Sequence, residues 1–316
     1  MKYRILVQIP ELDEESKMLI KGILGNEFFV YFDKSEVDIS TIDVLLVFRW
    51  EGVMDMDTLK RMSSLKLVQS ITAGVDHLPI RELVGMGIKV MGAPGANSMY
   101  IAEHALGMML CAIKKICVHD RLMRKGEFHQ EEMHRTLFGK NLLILGFGTI
   151  GQEFARIVEK FRMNIRVFKK RSILPPEWRG RIDRVYISKN ELDDVWPWAD
   201  YILIALPLND ETQNFIGAKE LELMKRNALI VNISRGKIID EEALYNHLRE
   251  NVNFFACIDT WWVYPSPGES FSQHFPFHTL SNVLMTPHVA PKVPGFFENM
   301  VVTACTSILK VMGLTH

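Results

Sequence analysis

Several things are scarce or absent in this chain of 316 residues. No run of about 18 or more apolar residues occurs, so no membrane-spanning helix is expected. There is no low-complexity tract and no short repeat. Neither sign of charge dominates: Lys plus Arg number 37 and Asp plus Glu 38. A basic nucleic-acid footprint is therefore missing. Cysteine is rare, with only Cys111, Cys117, Cys257 and Cys305, and no C-x-x-C pair. That excludes a disulfide scaffold, and no zinc or other metal site is expected. The thiols are expected to be buried and reduced, as in a cytoplasmic protein. The apolar run Ile5 to Ile9 is short and runs into the acidic stretch Glu11 to Glu15, which does not read as a signal peptide. Neither a membrane nor a nucleic acid is expected as a partner.

What remains is ordinary globular composition, 48% hydrophobic and 24% charged, which argues against disorder. At roughly 150 residues per domain the length suggests about two domains. Apolar runs of strand length recur at Arg4–Ile9, Glu27–Phe32, Val44–Phe48, Leu65–Ser70 and Ile88–Met91. A second set lies at Asn141–Leu145, Ile165–Phe168, Tyr201–Leu206, Ala228–Ile233, Phe254–Ile258 and Val283–Met285. Helical patterns such as Glu14–Leu24 and Met56–Met62 separate them. Continuous apolar strands alternating with helices predict α/β domains with parallel sheets. Tyr100 to Val118 contains no proline and predicts one long helix connecting two domains, capped by Asn97 or Ser98. Phe296 to Met312 also reads as helix, returning to the first domain. The expected organisation is residues 1–93 plus 289–316 in one domain and 94–288 in the other.

The most informative segment is Gly146-Phe147-Gly148-Thr149-Ile150-Gly151. Alone, G-x-G-x-x-G is a weak signal. Here it follows the strand Leu142 to Leu145 and opens a helix with Phe154, Ile157, Val158 and Phe161 on one face. A second strand follows, completing the strand–turn–helix–strand setting that a dinucleotide-binding turn requires. Gly146 permits the tight turn, Gly148 admits a pyrophosphate against backbone, and Gly151 lets helix and strand pack closely. The helix start then offers free N–H groups and its positive dipole end to the anion. After the second strand, an acidic residue would accept the ribose hydroxyls of NAD. This chain has Lys169, Lys170 and Arg171 instead, which favours the 2′-phosphate of NADP over NAD.

These residues carry a resemblance to the D-isomer-specific 2-hydroxyacid dehydrogenase family. It extends over nearly the whole chain, most clearly from Leu67 to Pro287. The segments that resemble the family are Ser70–His77, Gly95–His104, Ala205–Thr212, Val231–Gly236 and Thr286–Ala290. The resemblance implies two Rossmann-like, doubly wound parallel-sheet domains with a cleft between them, usually in a homodimer. It implies hydride transfer between a nicotinamide and a small 2-oxo or 2-hydroxy acid. By the same resemblance Arg235 grips the substrate carboxylate and polarises the carbonyl, which suits its permanently charged fork. His288 would protonate the carbonyl oxygen. The backbone at Ala73, Gly74 and Val75 would meet the carboxylate, and Arg49 would attract anionic substrates. Leu206, Pro207, Thr212, Ile233, Ser234, Asp259, His288 and Ala290 would line the cofactor, with Asp259 approaching the nicotinamide carboxamide. Glyoxylate or hydroxypyruvate is the expected substrate type.

One position departs from the family. Where the family places a glutamate that partners the catalytic histidine, this chain has Tyr264 before Pro265. A neutral tyrosine cannot raise the histidine's pKa through charge, though its hydroxyl can orient the ring. Three readings stay open: Tyr264 substitutes as an orienting residue; a carboxylate such as Glu269 or Glu298 reaches His288; or efficient turnover has been lost. The last would leave a nucleotide-sensing, non-catalytic regulatory protein. A different chemistry on the same fold, such as formate oxidation, is a third possibility.

Overall fold

The computed structural model describes residues 2–50, 54–266 and 268–314. The chain divides into two compact units, Met1–Asn97 with Val293–His316, and Ser98–Lys292.

The first unit holds strands β1 (Tyr3–Gln8), β2 (Phe28–Tyr31), β3 (Val44–Val47), β4 (Leu67–Ser70) and β5 (Lys89–Met91) in the order β2-β1-β3-β4-β5. All the pairings are parallel. Alternate residues serve opposite faces, as strand geometry requires. Ile5 and Val7 join Ile20 and Leu24 of α1 (Glu14–Leu24) and Val301, Ala304 and Ile308 of the C-terminal helix (Phe296–Val311). Leu6 and Leu45 instead meet Leu59 of α2 (Met56–Arg61) and Leu83 of α3 (Ile80–Gly85). The start of α1 is fixed by Asp13, whose carboxylate accepts the Ser16 N–H, with Glu14 and Glu15 in the first turn facing the dipole.

The second unit has seven parallel strands: β6 (Asn141–Leu145), β7 (Asn164–Phe168), β8 (Arg184–Tyr186), β9 (Tyr201–Ile204), β10 (Leu229–Asn232), β11 (Phe255–Ile258) and β12 (Val283–Met285). Their order is β12-β11-β10-β9-β6-β7-β8. Leu142, Ile144, Leu203 and Val231 pack under α4 (Ser98–Ile113) and α6 (Thr149–Val158). Leu143, Leu145, Ile202 and Ile204 face Leu221 of α7 (Ala218–Leu223) and Leu244 and Leu248 of α8 (Glu241–Glu250). Each unit is therefore an α/β layer structure of Rossmann-like type, with helices on both sheet faces.

Three sequence expectations change. Strand β8 has no apolar run to announce it, since Arg184-Val185-Tyr186 is short and begins with a charge. The helix expected over Tyr100–Val118 is two helices. It breaks at Lys115, whose φ is +50°, and α5 (Ile116–Arg124) continues separately. The physical reason is packing: α4 buries Ala105, Met109 and Ala112, whereas α5 buries no residue at all. Helicity alone does not hold a segment straight once its apolar stripe leaves the core. For the same reason Cys117 is exposed and Cys111 only half-buried, with their sulfurs 2.8 Å apart, while Cys257 and Cys305 are buried as expected.

Candidate active site

Because all seven strands of the second unit run in parallel, their C-terminal ends share one edge. Every expected cofactor residue of that unit lies in a loop or helix start leaving that edge. The strand order reverses between β6 and β9, which is where ligands sit in open α/β sheets. The glycine turn occupies that point. Gly146 has φ +98°, and a Cβ there would stand 2.4 Å from the Ala205 carbonyl oxygen at the end of β9. A Cβ on Gly151 would lie 2.3 Å from the Gly146 oxygen and 3.1 Å from Ile144 Cγ2. Gly148 differs: it caps α6 without a side chain, and nothing lies within 4 Å of where its Cβ would be. Two glycines close the turn and the third leaves open space before the N–H groups of Thr149 and Ile150. Phe147 is buried against Trp178, which anchors the turn from behind. This cradle fits a pyrophosphate.

Beside it, past β7, stand the three cations. Lys169 is half-buried, its ammonium donates to the Ile173 carbonyl at 2.7 Å, and burial holds its pKa below the ordinary lysine range. Lys170 is exposed and pairs loosely with Glu211 at 3.6 Å. Arg171 is exposed, with no hydrogen bond or ion pair among the described residues. Past β9, Leu206 is buried and the Pro207 carbonyl accepts the Thr212 hydroxyl at 2.6 Å. Asn209 Oδ1 also accepts the N–H groups of Glu211 and Thr212, so this turn is tied shut.

Three further loops build the opposite flank. Past β10, Ile233 and Ser234 are buried and the Ser234 hydroxyl donates to the Leu206 carbonyl. Arg235 is half-buried, and its own carbonyl accepts from Asn232 Nδ2 at 2.9 Å. Gly236 follows, where a Cβ would meet the Trp261 backbone at 2.4 Å, so only glycine lets the β10 and β11 loops approach.

His288 lies in the segment after β12 with φ +56°, a left-handed conformation that L-residues adopt at a cost. Asp259, fully buried at the end of β11, holds it there. Its Oδ1 accepts the Thr286 hydroxyl at 2.6 Å and the Val289 N–H at 3.0 Å, and its Oδ2 accepts the Ala290 N–H at 3.1 Å. Those bonds bracket His288 on both sides. Since the Thr286 hydroxyl donates to the carboxylate, its lone pairs face His104 Nε2 at 3.2 Å, which must then carry the proton. The Trp261 indole donates to the Thr286 carbonyl at 2.9 Å. Sequence reasoning expected Asp259 at the nicotinamide carboxamide. In the structure its carboxylate accepts three hydrogen bonds from the histidine segment. Thr286, Trp261 and His104 are also parts of this support; the separations from Asp259 to Val289 and Ala290, 30 and 31 residues, leave no local signal.

Tyr264 is beside the imidazole. The two ring centroids are 5.5 Å apart with planes at 40°. The Tyr264 hydroxyl accepts the Trp261 N–H at 3.1 Å. Glu269, considered as an alternative partner, accepts the Ser266 N–H at 3.0 Å, and Glu298 is on the C-terminal helix of the first unit.

In the first unit, Arg49 follows β3 and stands exposed, its guanidinium 5.3 Å from the Phe48 ring centre. Ala73, Gly74 and Val75 follow the adjacent strand β4. Their loop is fixed by the Thr72 hydroxyl donating to the Gly74 carbonyl at 2.7 Å. Gly92 lets the chain pass, since a Cβ there would be 2.4 Å from the Ala73 oxygen.

Residues 106–290 match the family described as D-isomer specific 2-hydroxyacid dehydrogenase, NAD binding domain. The chain belongs to this family. Its second unit carries the family's nicotinamide-dinucleotide-binding domain. The chain is 31% identical over 288 residues to the D-3-phosphoglycerate dehydrogenase of Methanocaldococcus jannaschii, covering 90% of this chain and 53% of that protein. It therefore spans about half the length of that relative. It is 29% identical over 322 residues to the hydroxypyruvate reductase of Thermotoga maritima, covering 99% of each. Among solved structures, D-lactate dehydrogenase from Aquifex aeolicus, complexed with NAD and lactic acid, is similar at TM-score 0.77 and 23% identity, over 98% of this chain and 96% of that one. The last likeness is one of fold. Among the described residues, no helix is long and apolar enough to cross a membrane.

Proposed function

We propose that this protein reduces the carbonyl of a small 2-oxo acid, of the glyoxylate or hydroxypyruvate type, to the 2-hydroxy acid, with NADPH preferred over NADH. The observation that carries the reading is the left-handed His288, held by the buried Asp259 on the same sheet edge as the glycine turn. The full-length match to a hydroxypyruvate reductase supports the substrate type. The exposed Arg171 beside Lys169 and Lys170, with no acidic residue among the three, supports the 2′-phosphate.

A bound reduced nicotinamide supplies two electrons to the carbonyl carbon as hydride. The chain supplies the rest. Arg235 holds the substrate carboxylate with its planar guanidinium and polarises the carbonyl, helped by the backbone of Ala73, Gly74 and Val75. His288, protonated, gives its proton to the carbonyl oxygen as negative charge develops there. Tyr264 keeps the imidazole plane in place through ring contact, without adding a charge. Asp259 acts through the backbone on either side of His288. Domain roles follow: residues 1–93 plus 289–316 bind substrate and 94–288 bind the dinucleotide. The protein is assigned to the cytoplasm as a homodimer; Ile116, Met123, Phe128 and Met133, exposed by 54%, 56%, 72% and 92%, provide apolar surface for association.

A panel of glyoxylate, hydroxypyruvate and pyruvate with NADPH and with NADH, followed by loss of nicotinamide absorbance, tests the reading. Turnover that is faster with NADPH is expected. Tight NADPH binding with no turnover across the panel would replace it with a nucleotide-sensing role, which the uncharged Tyr264 favours.

A further inference from the structure

We propose that His119, Glu132 and His134 form a binding site for a divalent transition-metal ion of the zinc type, built from none of the residues of the glycine turn or of the His288 segment. His119 sits on the exposed helix α5, and Glu132 and His134 lie two apart in the non-helical stretch that follows. One ligand atom from each lies within 4.8 Å of the others. His119 Nε2 and Glu132 Oε2 are 3.5 Å apart. In a tetrahedral site with metal–ligand bonds of about 2.0–2.2 Å, neighbouring donors stand roughly 3.3–3.6 Å apart. The two imidazoles meet edge to face, centroids 5.0 Å apart at 82°, so both can turn a nitrogen to a common point without overlapping.

Two observations make this more than proximity. His119 Nε2 is buried yet makes no hydrogen bond. A buried polar atom without a partner is unfavourable, and an ion would supply the partner. Lys115 takes the other oxygen of Glu132, Oε1, and leaves Oε2 toward His119. Two imidazoles with one carboxylate suit zinc, cobalt or nickel better than magnesium or calcium, which prefer oxygen alone. Such an ion would pin the stretch carrying Phe128 and Met133 to α5. The cysteines gave no sign of this site because none is a ligand; the three donors are drawn from a helix and a loop 13 residues apart and more.

The test is titration of the untagged full chain, in a C111S/C117S background that removes competing thiols, with Co2+, reading its visible d–d bands. One saturable equivalent per chain with tetrahedral-type bands, displaced by Zn2+ and not by Mg2+, is expected. His119→Ala and His134→Ala should each weaken binding by at least about tenfold, and Glu132→Gln should weaken it as well. Lys115→Met should leave binding intact or tighten it. All four positions are on the protein's periphery, and circular dichroism checks that the variants fold. Absence of saturable binding, or binding equally tight in both histidine variants, overturns the proposal.

Discussion

The two flanks of the glycine turn are built differently. On the β10–β12 side, loops are fixed by buried polar bonds: Asp259 is fully buried and accepts three hydrogen bonds, Ser234 and Trp261 each fasten one loop to the next, and Asn232 closes its own loop onto the Arg235 carbonyl. On the β7 side, Lys170 and Arg171 are exposed and Lys169 is half-buried; the Lys170 side chain is 85% exposed and its ion pair with Glu211 is long, at 3.6 Å. The β12 and β7 ends are five strand steps apart, roughly 24 Å at about 4.8 Å per step. The lesson is that proton transfer demands placement within a fraction of an ångström, whereas choosing between a phosphate and a hydroxyl demands only charge.

If that contrast is right, the largest losses come from the rigid flank. His288→Ala should cut kcat by about 10²–10⁴-fold with NADPH affinity nearly unchanged, measured by steady-state kinetics and by fluorescence titration. Asp259→Asn keeps an Oδ1 that can accept two of the three donors but sets an N–H2 donor against the Ala290 N–H in place of Oδ2. It should cost about 1–3 kcal/mol of stability in denaturant melts. It should also lower kcat by up to about 100-fold through misplacement of His288. An unchanged kcat would mean that Asp259 does not hold the histidine.

The turn between the flanks separates packing from binding. Gly151→Ala should destabilise the fold by about 1–3 kcal/mol, because its Cβ has nowhere to go. Gly148→Ala should leave the melting midpoint in place and weaken cofactor binding, since the free protein has room there and the bound one would not. Equal effects of the two would erase the distinction.

Smaller effects belong to the loose flank. Arg171→Ala should weaken NADPH binding by about tenfold and leave NADH unchanged. Lys170→Ala should do less, because Glu211 already competes for that ammonium. Smallest in size but most specific is Tyr264→Glu. Neutral histidine cannot donate a proton, so reduction fades as pH rises through the histidine pKa. An added carboxylate favours the charged ring and should move that falling limb to higher pH. A limb that stays put would mean that position 264 does not act on His288.

Much of the fold was legible because parallel strands, buried on both faces, are written as continuous apolar runs such as Leu142 to Leu145. The glycine turn was legible too, since each glycine answers a local steric need. The break at Lys115 was not, because the apolar spacing continues through it while the core beneath it ends. Nor was the clamp by Asp259: a buried carboxylate and its backbone donors meet across two strands. Tyr264 could be singled out only against the family pattern; its ring contact with His288 required coordinates.

The most direct measurement is a crystal structure of the protein with NADPH and a 2-oxo acid. The account predicts the pyrophosphate on the Thr149–Ile150 N–H groups, the 2′-phosphate within reach of Arg171, and the substrate oxygen hydrogen-bonded to His288. A cofactor whose nicotinamide points away from His288, or whose 2′-phosphate sits far from Lys169, Lys170 and Arg171, would contradict it.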